Sequence, residues 1–158
     1  MSGPGYIDAF TRSFALHPRA TALVVVDLQY ATGSRTHGLG RLLADQGRLA
    51  DAAYRFDRIE RLVVPNTRRL ADAFRRTGAR VVYVTYGARL PDCSDVPPHL
   101  RPLVTATGNR AGTREHEIVD EVKPQAGELV LNKTTMGAFA STGIDSHLRA
   151  MGVEQMVL

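Results

Sequence analysis

Sulfur and large aromatic side chains are scarce in this sequence. Its 158 residues include one cysteine, no tryptophan and only 6% aromatic residues. The single cysteine, Cys93, permits no internal disulfide, so a disulfide-stabilised fold is excluded. The N-terminus also lacks the charged start, apolar core and cleavage site of a secretory signal. We therefore expect a cytoplasmic protein.

Long hydrophobic runs are missing as well. No apolar stretch approaches the roughly 20 residues that a membrane-spanning helix needs, so no membrane partner is expected. A composition of 44% hydrophobic and 23% charged residues is typical of a folded soluble domain and not of a disordered chain. Chains of this length bury roughly 70% of their unfolded surface. We interpret residues 1–158 as one domain.

Lysine is scarce too, although the chain is basic. Only two of the 20 basic residues are lysines, and the net charge is +4. Nucleic-acid-binding proteins usually concentrate positive charge on one face. The densest group here lies around one predicted helix, among acidic residues, and consists of Arg68, Arg69, Arg75, Arg76 and Arg80. We expect no nucleic-acid partner; an arginine-rich nucleic-acid module, the alternative, predicts binding that weakens steeply with salt.

Four short apolar segments have the composition of buried parallel strands. The first reads Thr-Ala-Leu-Val-Val-Val-Asp-Leu, without the polar and apolar alternation of a half-exposed strand. The predicted strands span residues 21–28, 79–86, 128–132 and 153–158. Between them, helical spacing predicts helices over residues 41–56, 65–77, 113–122 and 142–151. This alternation predicts an α/β fold, a doubly wound and mostly parallel sheet with helices on both faces.

Two other segments do not follow this alternation. Residues 1–5 carry Gly and Pro and are expected to form a loose lead-in, followed by a short helix over residues 6–14. Residues 87–112 contain four prolines and few periodic apolar positions. That composition predicts a long surface loop of the kind that often covers a site.

Opposite charges stand at the ends of two predicted strands. Asp27 lies at the end of the first strand, and Lys133 follows the third. Open α/β sheets bind ligands at the carboxyl ends of their strands, and those ends share one edge of a parallel sheet. We therefore predict that the two side chains meet there. Taken singly, each also has a simple structural interpretation, as an aspartate that caps a loop and as a solvated lysine.

The common catalytic and nucleotide-binding motifs are absent. No predicted strand is followed by a Gly-rich dinucleotide loop, a phosphate loop or Gly-x-Ser-x-Gly. His116-Glu117 begins a zinc-protease pattern, but Asp120 replaces its second histidine. We interpret this segment as an amphipathic surface helix.

The proline-rich loop contains the remaining candidates for chemistry. Asp92, Asp95 and His99 offer oxygen and nitrogen ligands, but aspartate is a common turn residue in such loops. Cys93 has acidic neighbours on both sides, which oppose formation of a thiolate. We expect neither a metal site nor a cofactor.

Several segments together resemble one family. The first strand ends in Val-Asp-Leu-Gln (26–29), and a Pro-Asn helix leads to Val-Val-Tyr-Val-Thr (81–85). Gly-Glu-Leu-Val-Leu-Asn-Lys (127–133) is followed by Gly-Ala-Phe (137–139) and a further helix. In order and spacing these segments resemble the isochorismatase-like cysteine hydrolases, over most of the chain from Thr21 onward.

The resemblance implies roles for individual residues. Asp27 matches the family's catalytic carboxylate and Lys133 its catalytic lysine, and the two flank a cysteine nucleophile. Such enzymes hydrolyse small amides or related C–N substrates through a covalent thioester, and the superfamily also includes vinyl-ether cleavage. Gln29, Tyr86 and Phe139 are candidates for the substrate pocket because they lie beside the strand ends. The implied partners are a small-molecule substrate and further copies of the chain in a homo-oligomer.

The family's nucleophile follows a strand that matches residues 153–158, and the sequence stops at Leu158. We therefore expect the domain to be incomplete at its C-terminal end. The alternative is a catalytically inactive domain of this family that acts in binding or assembly. A cysteine in the residues that follow would favour the enzyme, whereas alanine, serine or glycine would favour the binding role.

Overall fold

Four parallel strands form the central sheet. A computed structural model describes residues 15–158 together with Ile7, Phe10 and Thr11. The predicted lead-in over residues 1–5 and, apart from those three residues, the helix predicted over 6–14 lie outside the described residues. The strand order is β3-β2-β1-β4, with all neighbouring pairs parallel. The strands are β1 (Thr21–Val26), β2 (Arg80–Tyr86), β3 (Leu129–Lys133) and β4 (Gln155–Val157).

Short helices and turns connect the strands. The α-helices are α1 (Tyr30–Gly33), α2 (Gly38–Asp45), α3 (Ala53–Arg58), α4 (Val64–Thr77), α5 (Arg101–Thr107), α6 (Ala138–Ser141) and α7 (Ile144–Ala150). Gly78 ends α4 as predicted, because its positive φ of 74° allows a left-handed cap. None of the helices described for residues 15–158 has the length and apolar character needed to cross a membrane.

Helices cover both faces of the sheet, which confirms the predicted fold class. Alternate residues of β1 and β2 point to opposite faces. On one face, Leu23 and Tyr83 pack with Ala71 of α4. On the other, Val24 and Val82 pack with residues of α7. Because both faces are buried, β1 and β2 need apolar residues at successive positions, which explains their lack of alternation.

The helix predicted over residues 113–122 is wrong. That segment consists of turns, an antiparallel bridge between Ile118 and Gln29, and one 3₁₀ turn at Asp120–Val122. Its backbone pairs with the residues that follow β1: Tyr30 N–H donates to the Glu117 carbonyl at 3.0 Å. Ile118 and its neighbours bury their side chains against the sheet. The apolar spacing therefore reflects contact with the sheet and not a helical face.

Other helix boundaries also differ from the predictions. The helix predicted over residues 41–56 is divided into α2, a 3₁₀ turn at Leu49–Ala52 and α3, and Gly47 has a φ of 66° between the first two. A π-helical segment, Ile59–Val63, joins α3 to α4, so the helix predicted from residue 65 begins earlier. β1 is shorter than predicted because the backbone turns at Asp27.

Residues 87–112 are more regular than predicted. They contain α5, which begins with a proline in its first turn and ends at Gly108, a left-handed cap with a φ of 68°. Four side chains of this segment form a small apolar cluster, with Tyr86 packed against it: Ala88, Cys93, Val96 and Val104. The segment is therefore a packed extension of the sheet edge.

Candidate active site

A backbone turn at the end of β1 positions Asp27. The residue has a φ of 56°, in the left-handed region that aspartate and asparagine tolerate better than most residues. Its N–H donates to the Val84 carbonyl at 2.9 Å, and its own carbonyl accepts the Gln29 N–H at 2.9 Å. Such a conformation costs on the order of 1 kcal/mol, and it concentrates at functional sites.

Lys133 reaches Asp27 across the intervening strand. It is the last residue of β3 and pairs in register with Tyr86 of β2. Its ammonium lies over the Tyr86 ring, 4.8 Å from the ring centre, and its Nζ is 2.8 Å from Asp27 Oδ2. The Lys133 side chain is 5% exposed and that of Asp27 is 38% exposed. The structure thus brings together the acid and the amine that the sequence predicted to meet at this edge.

Two buried polar atoms beside this pair have no hydrogen-bond partner among the described residues. They are Asp27 Oδ1 and the hydroxyl of Tyr86. Burial raises the pKa of Tyr86, and the nearby Asp27 and Asp95 carboxylates raise it further, so its hydroxyl stays protonated and can donate. Buried polar atoms are nearly always hydrogen-bonded in proteins. One acceptor and one donor at this edge are therefore left unsatisfied by the residues that the structure describes.

Gln29, a candidate for the pocket wall, is buried under the site instead. It is 1% exposed, and its amide bridges β1 and β2 at their ends. Its Nε2 donates to the carbonyls of Tyr86, at 3.0 Å, and His116, at 2.7 Å, and its Oε1 accepts the Tyr86 N–H at 2.8 Å. The Gln29 amide thus hydrogen-bonds to backbone groups in place of a strand, because the pairing of β2 with β1 ends at Val84 and leaves Tyr86 without a β1 partner. The geometry assigns Gln29 a positioning role.

Replacing Gln29 with leucine is expected to lower the free energy of unfolding by about 2–4 kcal/mol, because three buried backbone groups lose their partner. Urea denaturation of the two proteins measures the change. The exposed Gln46 provides the control, since Gln46→Leu removes an amide of the same size at the surface. Equal stability of Gln29→Leu and Gln46→Leu would contradict the positioning role.

A polar network next to Lys133 was missed by sequence reasoning. The His116 Nε2 and Asn132 Oδ1 atoms are 2.8 Å apart, and Asn132 Nδ2 donates to the Gly87 carbonyl at 3.0 Å. Thr85 also donates its hydroxyl to Asn132 Oδ1, at 3.3 Å. The signal in the sequence was a single asparagine in the apolar third strand. His116 thus supports the end of β3, and the surface-helix interpretation of its segment is wrong.

Phe139, Cys93 and the acidic loop residues each have different surroundings. Phe139, on α6, is 59% exposed, and its predicted contact with substrate stays a prediction. Cys93 is 1% exposed and enclosed by apolar side chains. Asp92 accepts the Ser94 N–H, which lowers its pKa, and Asp95 accepts the N–H of Arg89, as turn residues do. Residues 15–158 contain no group of three or more His, Cys, Asp or Glu side chains that could hold a metal.

Comparison with known proteins identifies the family to which this fold belongs. A family model described as the isochorismatase domain matches residues 21–158. The chain belongs to the isochorismatase family.

Two curated relatives cover most of the chain. It is 30% identical to the ureidoacrylate amidohydrolase RutB of Pantoea ananatis, over 89% of the chain and 57% of the relative. It is also 30% identical to the RutB of Serratia proteamaculans, over 96% of the chain and 62% of the relative. The chain therefore spans about three fifths of the length of these relatives.

Solved structures show the same fold. An isochorismatase family protein from Desulfovibrio vulgaris superposes with a TM-score of 0.66 at 28% identity, over 87% of this chain and 65% of that one. N-carbamoylsarcosine amidase from Thermoplasma acidophilum superposes with a TM-score of 0.60 at 28% identity, with the same two coverages of 87% and 65%.

Proposed function

We propose that the full-length protein hydrolyses a C–N bond of small amides or carbamoyl compounds through a covalent intermediate on cysteine, a thioester for amides and a thiocarbamate for carbamoyl compounds. The observation that carries this proposal is the Asp27–Lys133 pair, in which one carboxylate oxygen is 2.8 Å from the ammonium and the other is buried with no hydrogen-bond partner among the described residues. The names of two relatives, ureidoacrylate amidohydrolase and N-carbamoylsarcosine amidase, support the same reaction class.

The pair has the charges that thiol activation requires. A free thiol has a pKa near 8.5 and is mostly protonated at neutral pH. In the proposed first step the thiol proton moves to Asp27 Oδ1, while the Lys133 ammonium stabilises the thiolate and holds the other carboxylate oxygen. The thiolate then attacks the carbonyl carbon, and the C–N bond breaks as Asp27 returns the proton to the departing nitrogen. Water attacks the carbonyl carbon of this intermediate, which releases a carboxylic acid from an amide, or a carbamic acid from a carbamoyl compound, and restores the thiol.

The nucleophile in this proposal is a cysteine that follows β4 in the full-length protein. The family resemblance places it on the turn after that strand. β4 runs parallel to β1 with Val157 opposite Leu23, so a continuation of β4 would run toward the end of β1, where Asp27 stands. Cys93 does not suit the role, because it is 1% exposed and apolar side chains enclose its sulfur.

Ammonia release by the full-length protein tests the reaction. We expect it to release ammonia from at least one member of a panel of primary amides, ureido compounds and N-carbamoyl amino acids. A coupled assay measures the rate, and Asp27→Asn protein from the same purification controls for contaminating amidases. Folded protein that releases no ammonia from any member would contradict the proposal and favour a binding or assembly role.

Trapping of the intermediate tests the mechanism. A substrate that supports turnover is expected to add its acyl mass to the protein when the reaction is quenched in acid, because a thioester survives acid better than alkali. Mass spectrometry of proteolytic fragments then locates the adduct. An adduct on Cys93, or on no cysteine during rapid turnover, would contradict the proposed nucleophile.

A further inference from the structure

The ring of Tyr86 lies under the lysine of the candidate site. Lys133 ends β3, and Asp27 follows β1, so the lysine side chain has to cross β2 to reach its partner. Neighbouring strands lie about 4.8 Å apart. The β2 residue in register with Lys133 is Tyr86, and the Lys133 ammonium lies over its ring, 4.8 Å from the ring centre. The lysine therefore crosses the intervening strand over an aromatic surface.

Contacts of two kinds hold Tyr86 in place. The Gln29 amide accepts the Tyr86 N–H at 2.8 Å and donates to the Tyr86 carbonyl at 3.0 Å, which fixes the backbone. The Tyr86 side chain packs against the buried apolar cluster that includes Ala88 and Cys93. Because its backbone and its packing are both fixed, the ring keeps a defined position. It can therefore define the position of a flexible side chain that lies on it.

The ion pair with Asp27 is a weak restraint by itself. Lysine carries a point charge on a long flexible stem, and an ion pair with a carboxylate that water can reach contributes little. The Asp27 side chain is 38% exposed, whereas that of Lys133 is 5% exposed. A cation over the negative face of an aromatic ring is attracted to it, and the attraction increases when the cation is shielded from water. The buried ammonium meets that condition, so the Tyr86 ring supplies a second restraint.

We propose that Tyr86 is a positioning residue, whose ring holds the Lys133 ammonium against Asp27 through a cation–π contact. The inference rests on the proposed function, because it concerns the orientation of the lysine that stabilises the thiolate. Tyr86 then acts through Lys133, and its hydroxyl takes no part in this role. The role differs from the substrate contact that the sequence predicts for Tyr86, and substitutions at this position distinguish the two.

Two substitutions in the full-length protein separate the ring from the hydroxyl. Tyr86→Leu is expected to lower kcat for ammonia release by about 5- to 30-fold and to change KM by less than about twofold, in line with the loss of a cation–π contact shielded from water. Tyr86→Phe should recover most of that loss, because it keeps the ring. Tyr54→Leu is the control, since Tyr54 is 78% exposed on α3. Equal losses for the two Tyr86 variants, a change in KM alone, or no loss for either would overturn the inference.

The same substitution in Lys133→Met protein tests whether Tyr86 acts through the lysine. Once the ammonium is gone there is nothing to position, so adding Tyr86→Leu should lower kcat by no more than about twofold further. A further loss as large as in the wild-type background would overturn the inference.

A fluorinated ring provides a variant of nearly the same size if Tyr86→Leu does not fold. A trifluorinated phenylalanine at position 86 weakens the negative face of the ring that attracts a cation. It should lower kcat at least about threefold relative to Tyr86→Phe protein. Equal kcat for the two rings would contradict a cation–π role.

Lysine labelling separates this inference from the proposed function, because it needs no substrate. Lys123 and Lys133 are the two lysines of residues 1–158, and Lys123 is exposed. Brief treatment with acetic anhydride, followed by mass spectrometry of peptides, gives the ratio of acetylation at Lys133 to that at Lys123.

We expect this ratio to rise at least about fivefold in Tyr86→Leu protein, because the ammonium loses its cover, and to stay within about twofold of wild type in Tyr86→Phe protein. If the wild-type protein hydrolyses no substrate, the proposed function fails, and the ratio still tests the inference. Equal ratios in all three proteins would overturn it.

Discussion

Replacing Asp27 with asparagine in the full-length protein is expected to lower kcat for ammonia release by about 10³-fold. Asparagine has the same shape and can still accept a hydrogen bond from the Lys133 ammonium, but it cannot take up the thiol proton. It also tolerates the left-handed backbone conformation of this position at least as well as aspartate does. The fold should therefore persist, and the melting temperature should change by only a few degrees.

Steady-state kinetics on the two purified proteins measure this effect. Asp145→Asn is a matched control, because Asp145 forms an ion pair with Arg149 on the exposed face of α7. Surface ion pairs contribute little to stability, so this variant should keep its activity and its fold. An Asp27→Asn protein with kcat within tenfold of wild type would remove Asp27 from the catalytic machinery.

Lys133→Met should give a loss of similar size, because it removes the charge that stabilises the thiolate. If the two residues act as a unit, the double variant should have about the same kcat as the less active of the two single variants. The reason is that the effects of substituting groups that act together are strongly non-additive. Lys123→Met is the control, because Lys123 is the other lysine of the chain and is exposed. Fully additive losses would show that Asp27 and Lys133 act separately.

Gly38→Ala is expected to lower the free energy of unfolding by about 3–5 kcal/mol, the largest stability effect that we predict. A Cβ at this position would lie 2.3 Å from the Ala31 carbonyl oxygen and 2.5 Å from the Ala31 Cα, and the φ is +44°. Ala31 cannot easily move, because it is fully buried and its N–H donates to the Glu115 carbonyl at 2.7 Å. The close approach of α1 and α2 therefore requires glycine.

Gly47→Ala separates the steric clash from the cost of the backbone conformation. Gly47 has a φ of +66° and no heavy atom within 4 Å of an added Cβ. Its replacement should cost only about 1–2 kcal/mol, from the left-handed conformation alone. Urea denaturation of both variants measures the difference. Similar losses for the two would show that the packing of α1 against α2 is not the dominant constraint at Gly38.

The strands were predictable because their signal is local. β1 and β2 consist of successive apolar and β-branched residues, and burial on both faces selects for that composition wherever the chain supplies it. Their predicted ends were off by one or two residues. At the end of β1 the difference has a clear cause, since the left-handed φ of Asp27 terminates the strand.

The helix prediction for residues 113–122 failed because the segment with which they pair is distant in sequence. Their apolar residues have helix-like spacing, but their backbone donors and acceptors pair with the segment after β1. That pairing satisfies backbone groups that a helix would otherwise satisfy internally. Periodicity reports which side chains are buried and does not report what buries them, so this segment could not be distinguished from a helix.

The sequence alone determined the fold class, the placement of Asp27 and Lys133 at the carboxyl ends of parallel strands, and the family resemblance. The fold class and the shared edge follow from local composition and from the rule that ligand sites lie at the carboxyl ends of parallel strands. The resemblance follows from the order and spacing of the matching segments. Only the tertiary structure decided that Gln29 is a buried bridge and that Asn132 anchors His116. Such assignments depend on the direction of side chains that leave loops and strand ends, and that direction is set by packing between segments far apart in the chain.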